Sequence, residues 1–343
     1  MTFPDRITSI QGSIMQYIGG IDIGGTKMAV VIADSDGPLL RLTEPTAKEG
    51  SSRAPADQAI RMLRQACEQA GVPFSELKTV GVSSCGPFIK QNGLIELRTQ
   101  NICGGIGNRG DLPNDWQTVP LEAVLREQFT NVHIENDCVA ALAAERAFGA
   151  LQGSDHCAYV TWSTGVGFGL CVDGVMLRGK NGNAGHAGHM LLSEQSLAQC
   201  GCGNIGDVEA LASGRNLEIQ HGRSAEELFN AVKDGDVKAH AAVIHAAQWF
   251  GRALYNVTAT LDLQAFVIGG SIWHHHGDWL EPIVKNEICS RLPPLTAGVQ
   301  LLRPALDAYV ADIGALYLAM PPAWIGNWRV HALWQRIGDI ETV

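Results

Sequence analysis

Two apolar runs, each broken by a glycine-rich turn, recur about 140 residues apart and restrict this chain to folds that use a strand–turn–strand unit twice. In the first, from Tyr17 to Ile32, the segment Asp22-Ile23-Gly24-Gly25-Thr26-Lys27 interrupts two stretches rich in Ile and Val. Glycine supplies the φ > 0 freedom of a tight strand-to-strand turn. Without Cβ atoms, backbone N–H groups can also approach an anion closely. Thr26 and Lys27 add a hydroxyl and a cation. Asp22 is suited to holding the water shell of Mg²⁺, which is usually bound through one or two carboxylates plus substrate phosphates. The second unit, 157–163 and 167–173, is interrupted by Ser163-Thr164-Gly165-Val166-Gly167. The alternative for such a turn taken alone is a glycine-rich hairpin with no ligand.

Between and after these units the periodicity alternates between strand and helix. Apolar positions at helical spacing run through 55–71, residues 78–83 and 132–135 read as strands, and 138–150 as an Ala-rich helix, so Asn136-Asp137 falls at a strand-to-helix junction. Residues 236–261 predict a long helix and 264–268 a buried strand. Gly269-Gly270-Ser271 opens the next helix, where N–H groups can face a nucleotide. A further helix is expected over 311–320. The glycine-rich stretch 92–120 has no sustained period and reads as a long ordered loop, a candidate substrate lid. Strands grouped with crossover helices in two similar halves give an α/β protein with paired lobes. The expected division is a small lobe over 17–134 completed by the helix at 311–320, and a large lobe over 135–310. An extension over 321–343 follows, whose three tryptophans pack on a surface.

Length and charge narrow the function. At 343 residues the chain exceeds the roughly 250–300 at which single cores stop growing. A net charge of −10 argues against a nucleic-acid surface and against anionic membrane, leaving a small molecule as the expected partner. No 18-residue apolar stretch exists, and 1–16 lacks the basic and apolar regions of a signal peptide. Nine cysteines, an odd number in a long chain, fit reduced thiols. The expected compartment is the cytoplasm.

Six blocks then stand in one order: Asp22-Ile23-Gly24-Gly25-Thr26-Lys27; Glu135-Asn136-Asp137; Thr164-Gly165-Val166-Gly167-Phe168-Gly169; Ala184-Gly185-His186-Ala187-Gly188-His189-Met190; Cys200-Gly201-Cys202-Gly203; and Val208-Glu209-Ala210-Leu211-Ala212-Ser213-Gly214-Arg215. Their order and spacing, over roughly 17–320, resemble the ROK family of sugar kinases and repressors, within the actin, Hsp70 and hexokinase superfamily. The resemblance implies a two-lobed actin-like ATPase (ribonuclease H-like) fold with a ligand cleft between the lobes. It implies ATP and Mg²⁺ held by Asp22, Gly24, Gly25, Thr26, Lys27, Thr164, Gly165, Gly167, Gly269 and Gly270. By the same resemblance Asp137 is the general base toward the 6-hydroxyl of a hexose or 2-acetamidohexose, and Asn101, Asn136, His186, His189 and Glu209 contact the sugar. Members of the family are often homodimers or larger homo-oligomers.

Two positions depart from the family's text. Where most family kinases read Ala-Gly-Glu-x-Gly-His, this chain has His186, as in the family's N-acetylmannosamine kinases. A neutral imidazole offers one donor and one acceptor with no obligatory charge, which suits a 2-acetamido group; the alternative is that His186 only packs. The family's structural Zn²⁺ is held by the second histidine and three cysteines, here His189, Cys200 and Cys202, with Asp207 in the last place. A carboxylate is an acceptable Zn²⁺ ligand, but Asp207 can instead cap the following helix and leave two free thiols. Asp137 has the same competing role, since Asx residues favour helix N-caps. The tract His274-His275-His276 points to different faces of a helix and reads as solvated surface. The expectation is a kinase. A sugar-binding sensor without turnover is the alternative, and the repressor branch is disfavoured by the 16 residues ahead of the first strand. Which sugar, and whether ATP or polyphosphate donates, stay open.

Overall fold

The apolar runs within 17–45 form three consecutive strands, the first two buried almost throughout, and the computed structural model, which describes residues 16–106 and 112–340, repeats that arrangement in the second half. The strands are β1 (Tyr17–Ile23), β2 (Lys27–Asp34), β3 (Gly37–Pro45), β4 (Leu77–Ser84), β5 (Phe88–Gln91), β6 (Leu94–Leu97), β7 (Asn131–Asn136), β8 (Cys157–Trp162), β9 (Val166–Val172), β10 (Val175–Met176), β11 (Ala265–Gly269) and β12 (Gln300–Leu302). One sheet has the order β3-β2-β1-β4-β7 and the other β10-β9-β8-β11-β12. In each, the central strand pairs antiparallel with the strand after its glycine turn (Ile21 opposite Val30; Tyr159 opposite Gly169) and parallel with the next (Ile21 opposite Val82; Tyr159 opposite Val267). Parallel neighbours need crossover connections. Ala54–Ala70 lies in the β1–β4 crossover, Val237–Leu261 in that from β8 to β11 and Ser271–Cys289 in that from β11 to β12, while Asp137–Phe148 links β7 of the first sheet to β8 of the second. This duplicated order is the two-lobed actin-like ATPase fold expected from the sequence.

The stretch 92–120 is not one long loop. Asn92 (φ 52°) and Gly93 (φ 81°) form the two-residue turn of a hairpin between β5 and β6, and Asn-Gly is the strongest short-range signal for such a turn. A short helix, Leu121–Leu125, follows. Strand β7 also runs two residues past the expected lobe boundary, with Glu135 and Asn136 paired to Ser83 and Ser84 in the first sheet.

Two helices lie between the sheets. Val310–Ala319 crosses β1 and β4 so closely that a Cβ on Gly81 would come within 2.0 Å of the Ala315 carbonyl oxygen. Its Gly314 lies against Asp137–Phe148, where a Cβ would meet the Ala140 oxygen at 2.7 Å. The extension beyond Met320 folds back onto this junction. Trp328 is fully buried and donates from Nε1 to the Asp34 carbonyl (3.2 Å), Trp334 stacks on Phe148 at 5.2 Å, and Arg329 donates to the Ala147 carbonyl (2.9 Å). No helix among the described residues is long and apolar enough to cross a membrane.

Candidate active site

The junction between β7 and the helix Asp137–Phe148 puts a carboxylate at the floor of the interlobe cleft. Asn136 is the N-cap, in extended conformation, and its side chain accepts the Cys138 N–H at 3.1 Å. Asp137 Oδ1 accepts the same N–H at 2.8 Å, so Asp137 is tethered but the capping does not depend on it. Burial pushes the Asp137 carboxyl above its ordinary 3.8, with hydrogen bonds from Cys138 and Asn136 pulling the other way. A partly desolvated carboxylate at the positive end of a helix is a competent proton acceptor.

The cleft above it has a volume of about 640 Å³. The first lobe lines it with Cys85–Pro87 and Arg98–Asn101, and the second with Ser163, Gly165–Phe168, Gly185, His186, His189, Glu209 and Arg215. Five residues expected at a sugar site, Asn101, Asn136, His186, His189 and Glu209, are therefore brought together with Asp137 around one cavity. Arg98 and Arg215 were not expected there. Arg215 closes the last of the six sequence blocks, whereas nothing local marks Arg98.

His186 sits where Gly86 leaves room, with ring atoms 3.0 Å from the position of a Gly86 Cβ. Its Nδ1 is 3.0 Å from the Asn183 carbonyl oxygen, which makes Nδ1 the donor and leaves Nε2 an acceptor. Burial, and then the neighbouring His189, hold its pKa below the usual histidine value, so the ring is neutral. Asn183 itself spans the lobes, accepting from Phe88 N (2.8 Å) and donating to Phe88 O (2.7 Å).

Both glycine turns flank this cavity. In the first, Gly24 N–H donates to the Lys27 carbonyl at 3.0 Å and Thr46 Oγ1 donates to the Gly24 carbonyl at 2.8 Å. A Cβ on Gly25 would reach 2.8 Å from Asn101 Cβ, so this turn is separated from the cavity by Asn101 rather than lining it. Thr26 and Lys27 are exposed. Asp22 accepts from Ser83 Oγ at 3.0 Å, and its carboxyl is pushed up to about 7 by burial, then by the nearby Asp312, with Asp137 adding to the repulsion. Such crowded, desolvated carboxylates fit a divalent cation. In the second turn a Cβ on Gly165 would come 2.7 Å from Glu209 Oε2, the same oxygen that accepts the Val166 N–H at 3.1 Å. Gly167 leaves space for Cys138 Sγ, 2.7 Å from where its Cβ would stand. Thr164 is exposed, its carbonyl taking the Arg215 N–H at 3.2 Å. Gly269 and Gly270 do not line the cavity. They end β11 beside Thr161, with Gly270 (φ 90°) pressed on Trp162.

His189, Cys200, Cys202 and Asp207 converge, one ligand atom from each lying within 4.8 Å of all the others. His189 Nδ1 is 3.1 Å from Asp207 Oδ2, 3.7 Å from Cys200 Sγ and 3.6 Å from Cys202 Sγ. Ligand pairs on a zinc tetrahedron with bonds of 2.0–2.3 Å stand about 3.3–3.8 Å apart. The four side chains therefore fit a cation. Asp207 also caps the helix Val208–Ala212 through Oδ1, so the expected cap is present in a residue whose other oxygen belongs to the cluster. The histidine tract at 274–276 has no such convergence: His274 and His275 are exposed, and His276 stacks on Phe229 at 3.6 Å. The nine cysteines are all free thiols.

The ROK family model matches residues 18–320. The chain is 34% identical over 262 residues to an N-acetylmannosamine kinase of Escherichia coli O9:H4 (strain HS), covering 74% of this chain and 82% of that one. Among solved structures it resembles the ROK hexokinase from Thermus thermophilus, with 31% identity, a TM-score of 0.73, and coverage of 89% of this chain and 98% of the other. A ROK family glucokinase from Streptomyces griseus in complex with glucose and AMPPNP is 25% identical, with a TM-score of 0.61 and coverage of 88% and 99%. With the six blocks, the duplicated sheets and a family match over nearly the whole described chain in agreement, this chain belongs to the ROK family.

Proposed function

We propose that the chain is an ATP-dependent kinase that phosphorylates the 6-hydroxyl of a 2-acetamidohexose of the N-acetylmannosamine type, with Asp137 as general base. The observation that carries the substrate class is His186. Its Nδ1 is committed to Asn183, so it presents a neutral acceptor, Nε2, to the cavity. That acceptor takes an amide N–H without the charge a glutamate would bring. The similarity to an N-acetylmannosamine kinase points the same way. A glucose-type substrate is the second reading, favoured by the resemblance to the T. thermophilus hexokinase.

In the reaction Asp137 accepts the 6-hydroxyl proton as that oxygen bonds to the γ-phosphorus and the bond to ADP breaks. Asn136 and Asn101 orient the acceptor sugar, and Glu209 and His189 hold its other hydroxyls. Phosphoryl transfer demands mainly positioning and charge neutralisation. N–H groups of the two glycine turns other than those of Gly24 and Val166 contribute both, and Gly269–Gly270, one strand away, border the nucleoside side. Asp22 would hold Mg²⁺, which when bound neutralises the phosphate oxygens. His189, Cys200, Cys202 and Asp207 would hold Zn²⁺, bracing the His189 loop. We expect small and large lobes dividing near β7, with 321–343 as an appendage, and a homo-oligomer in the cytoplasm.

The test is ADP release from Mg-ATP over a panel of hexoses and 2-acetamidohexoses, with Asp137→Asn as control. Turnover should be highest on N-acetylmannosamine. Asp137→Asn should lower kcat by about 10² or more while sugar affinity changes only a few-fold. Preference for glucose would make His186 a packing residue. Sugar binding without turnover on any sugar would end the kinase reading in favour of a sensor.

A further inference from the structure

Asp207 stands where the family pattern has a thiolate, and its two oxygens have separate partners. Oδ2 lies 3.1 Å from His189 Nδ1, 3.6 Å from Cys202 Sγ and 3.3 Å from Asn204 Nδ2. Oδ1 accepts the Ala210 N–H at 2.7 Å and caps Val208–Ala212. A helix of five residues has almost no hydrogen-bonded interior, so its placement depends on its cap and packing. Glu209 is its second residue. Glu209 Oε2 accepts the Val166 N–H at 3.1 Å. Gly165 leaves no slack, because a Cβ there would sit 2.7 Å from the same Oε2.

We propose that Asp207 makes the bound cation a positioning element for the nucleotide as well as the sugar. Oδ2 would be held by a bound cation, Oδ1 fixes the helix, and Glu209 fixes the Ser163–Gly167 turn through Val166 N–H. This rests on the zinc reading of the cluster. A cysteine at 207 would ligate the ion, but a sulfur is a weak acceptor for the Ala210 N–H, so the path from ion to turn would be broken at the cap. An asparagine would preserve the capping oxygen but remove the anionic ligand.

The experiment measures the affinity of a non-hydrolysable ATP analogue by calorimetry without sugar, on zinc-loaded and chelator-stripped protein, beside direct zinc titration. Stripping wild-type protein should weaken analogue binding by about fivefold. Asp207→Asn should bind zinc about 10–100-fold more weakly, and its analogue affinity should not respond to zinc levels that saturate wild type. Asp207→Cys should keep zinc yet lose most of the nucleotide response. Wild-type protein that binds one zinc with unchanged analogue affinity overturns the coupling and leaves the zinc reading intact. Failure of both wild type and Asp207→Cys to bind zinc overturns the zinc reading, and the proposal with it.

Discussion

Asp137 and Asp22 are carboxylates pushed upward by burial, yet their environments separate the roles proposed for them. Asp137 has hydrogen-bond donors beside it and faces the cavity, while Asp22 is repelled by Asp312 and Asp137 and relieved only by Ser83 and Lys27. A base must be deprotonated to act, so kcat should fall as pH drops through the raised Asp137 value. That acidic limb should lie above the ordinary carboxylate range. A kcat that stays level down to about pH 4 in a pH–rate profile would remove Asp137 from the role. For Asp22 the linkage runs through stability. With a folded-state value of about 7 against 3.8, metal-free folded protein holds a proton that the unfolded chain has already released in that window. Stability should therefore decline as pH rises from about 4 to 7. Asp22→Asn should flatten that decline in thermal melts of metal-free protein, and Mg²⁺ should restore wild-type stability at neutral pH but leave the variant unchanged.

Among elements, the extension is the one whose importance the packing raises most. Residues Pro322–His331 and the turn after them bind the β2–β3 turn through the Asp34, Ser35 and Asp36 carbonyls, and bind the C-terminal end of the helix that carries Asp137 through Ala147 and Phe148. Trp328→Ala removes a fully buried ring and a hydrogen bond, and should cost about 3–5 kcal/mol, read by denaturant unfolding. A loss within experimental error would make the extension an ornament. The sequence made the tail's aromatic character legible, but not its partners, because those are backbone carbonyls and one phenylalanine almost 300 and 200 residues away. The glycine turns and the Asn136-Asp137 junction were legible because turn chemistry and capping are local, whereas the His/Cys/Asp cluster was legible only through the family resemblance. The β5–β6 hairpin carried its Asn92-Gly93 signal and was lost in the surrounding glycines. Arg98 and the Asn183–Phe88 bridge were not legible, since a cleft wall built by two lobes has no periodicity of its own.

At the scale of the whole molecule, the glycine turn proposed to hold phosphate and the proposed acceptor site are not in one cavity. Asn101 separates Gly25 from the cleft, and Gly24–Lys27 do not line it. Phosphoryl transfer needs donor and acceptor oxygens in line and close, so the lobes must approach. The geometry limits how they do so. The two interlobe helices are locked at Gly314 against Ala140, and Gly81 locks one of them onto β4, so neither slides. At the opposite wall the lobes are joined by the paired Asn183–Phe88 hydrogen bonds of 2.8 and 2.7 Å. A body held at a rigid crossing and at one wall closes by rotation. Sugar bound as proposed, between Asn101 on one lobe and His186 and Glu209 on the other, should drive that rotation and lower the radius of gyration in small-angle scattering. Asn183→Ala removes both bridging hydrogen bonds without touching the carboxylates. It should raise the sugar KM severalfold and reduce the sugar-induced compaction, with kcat at saturating sugar nearly kept, because the closed state once reached is unchanged. A radius of gyration indifferent to sugar in wild type would mean that the nucleotide, not the sugar, brings the first turn to Asp137.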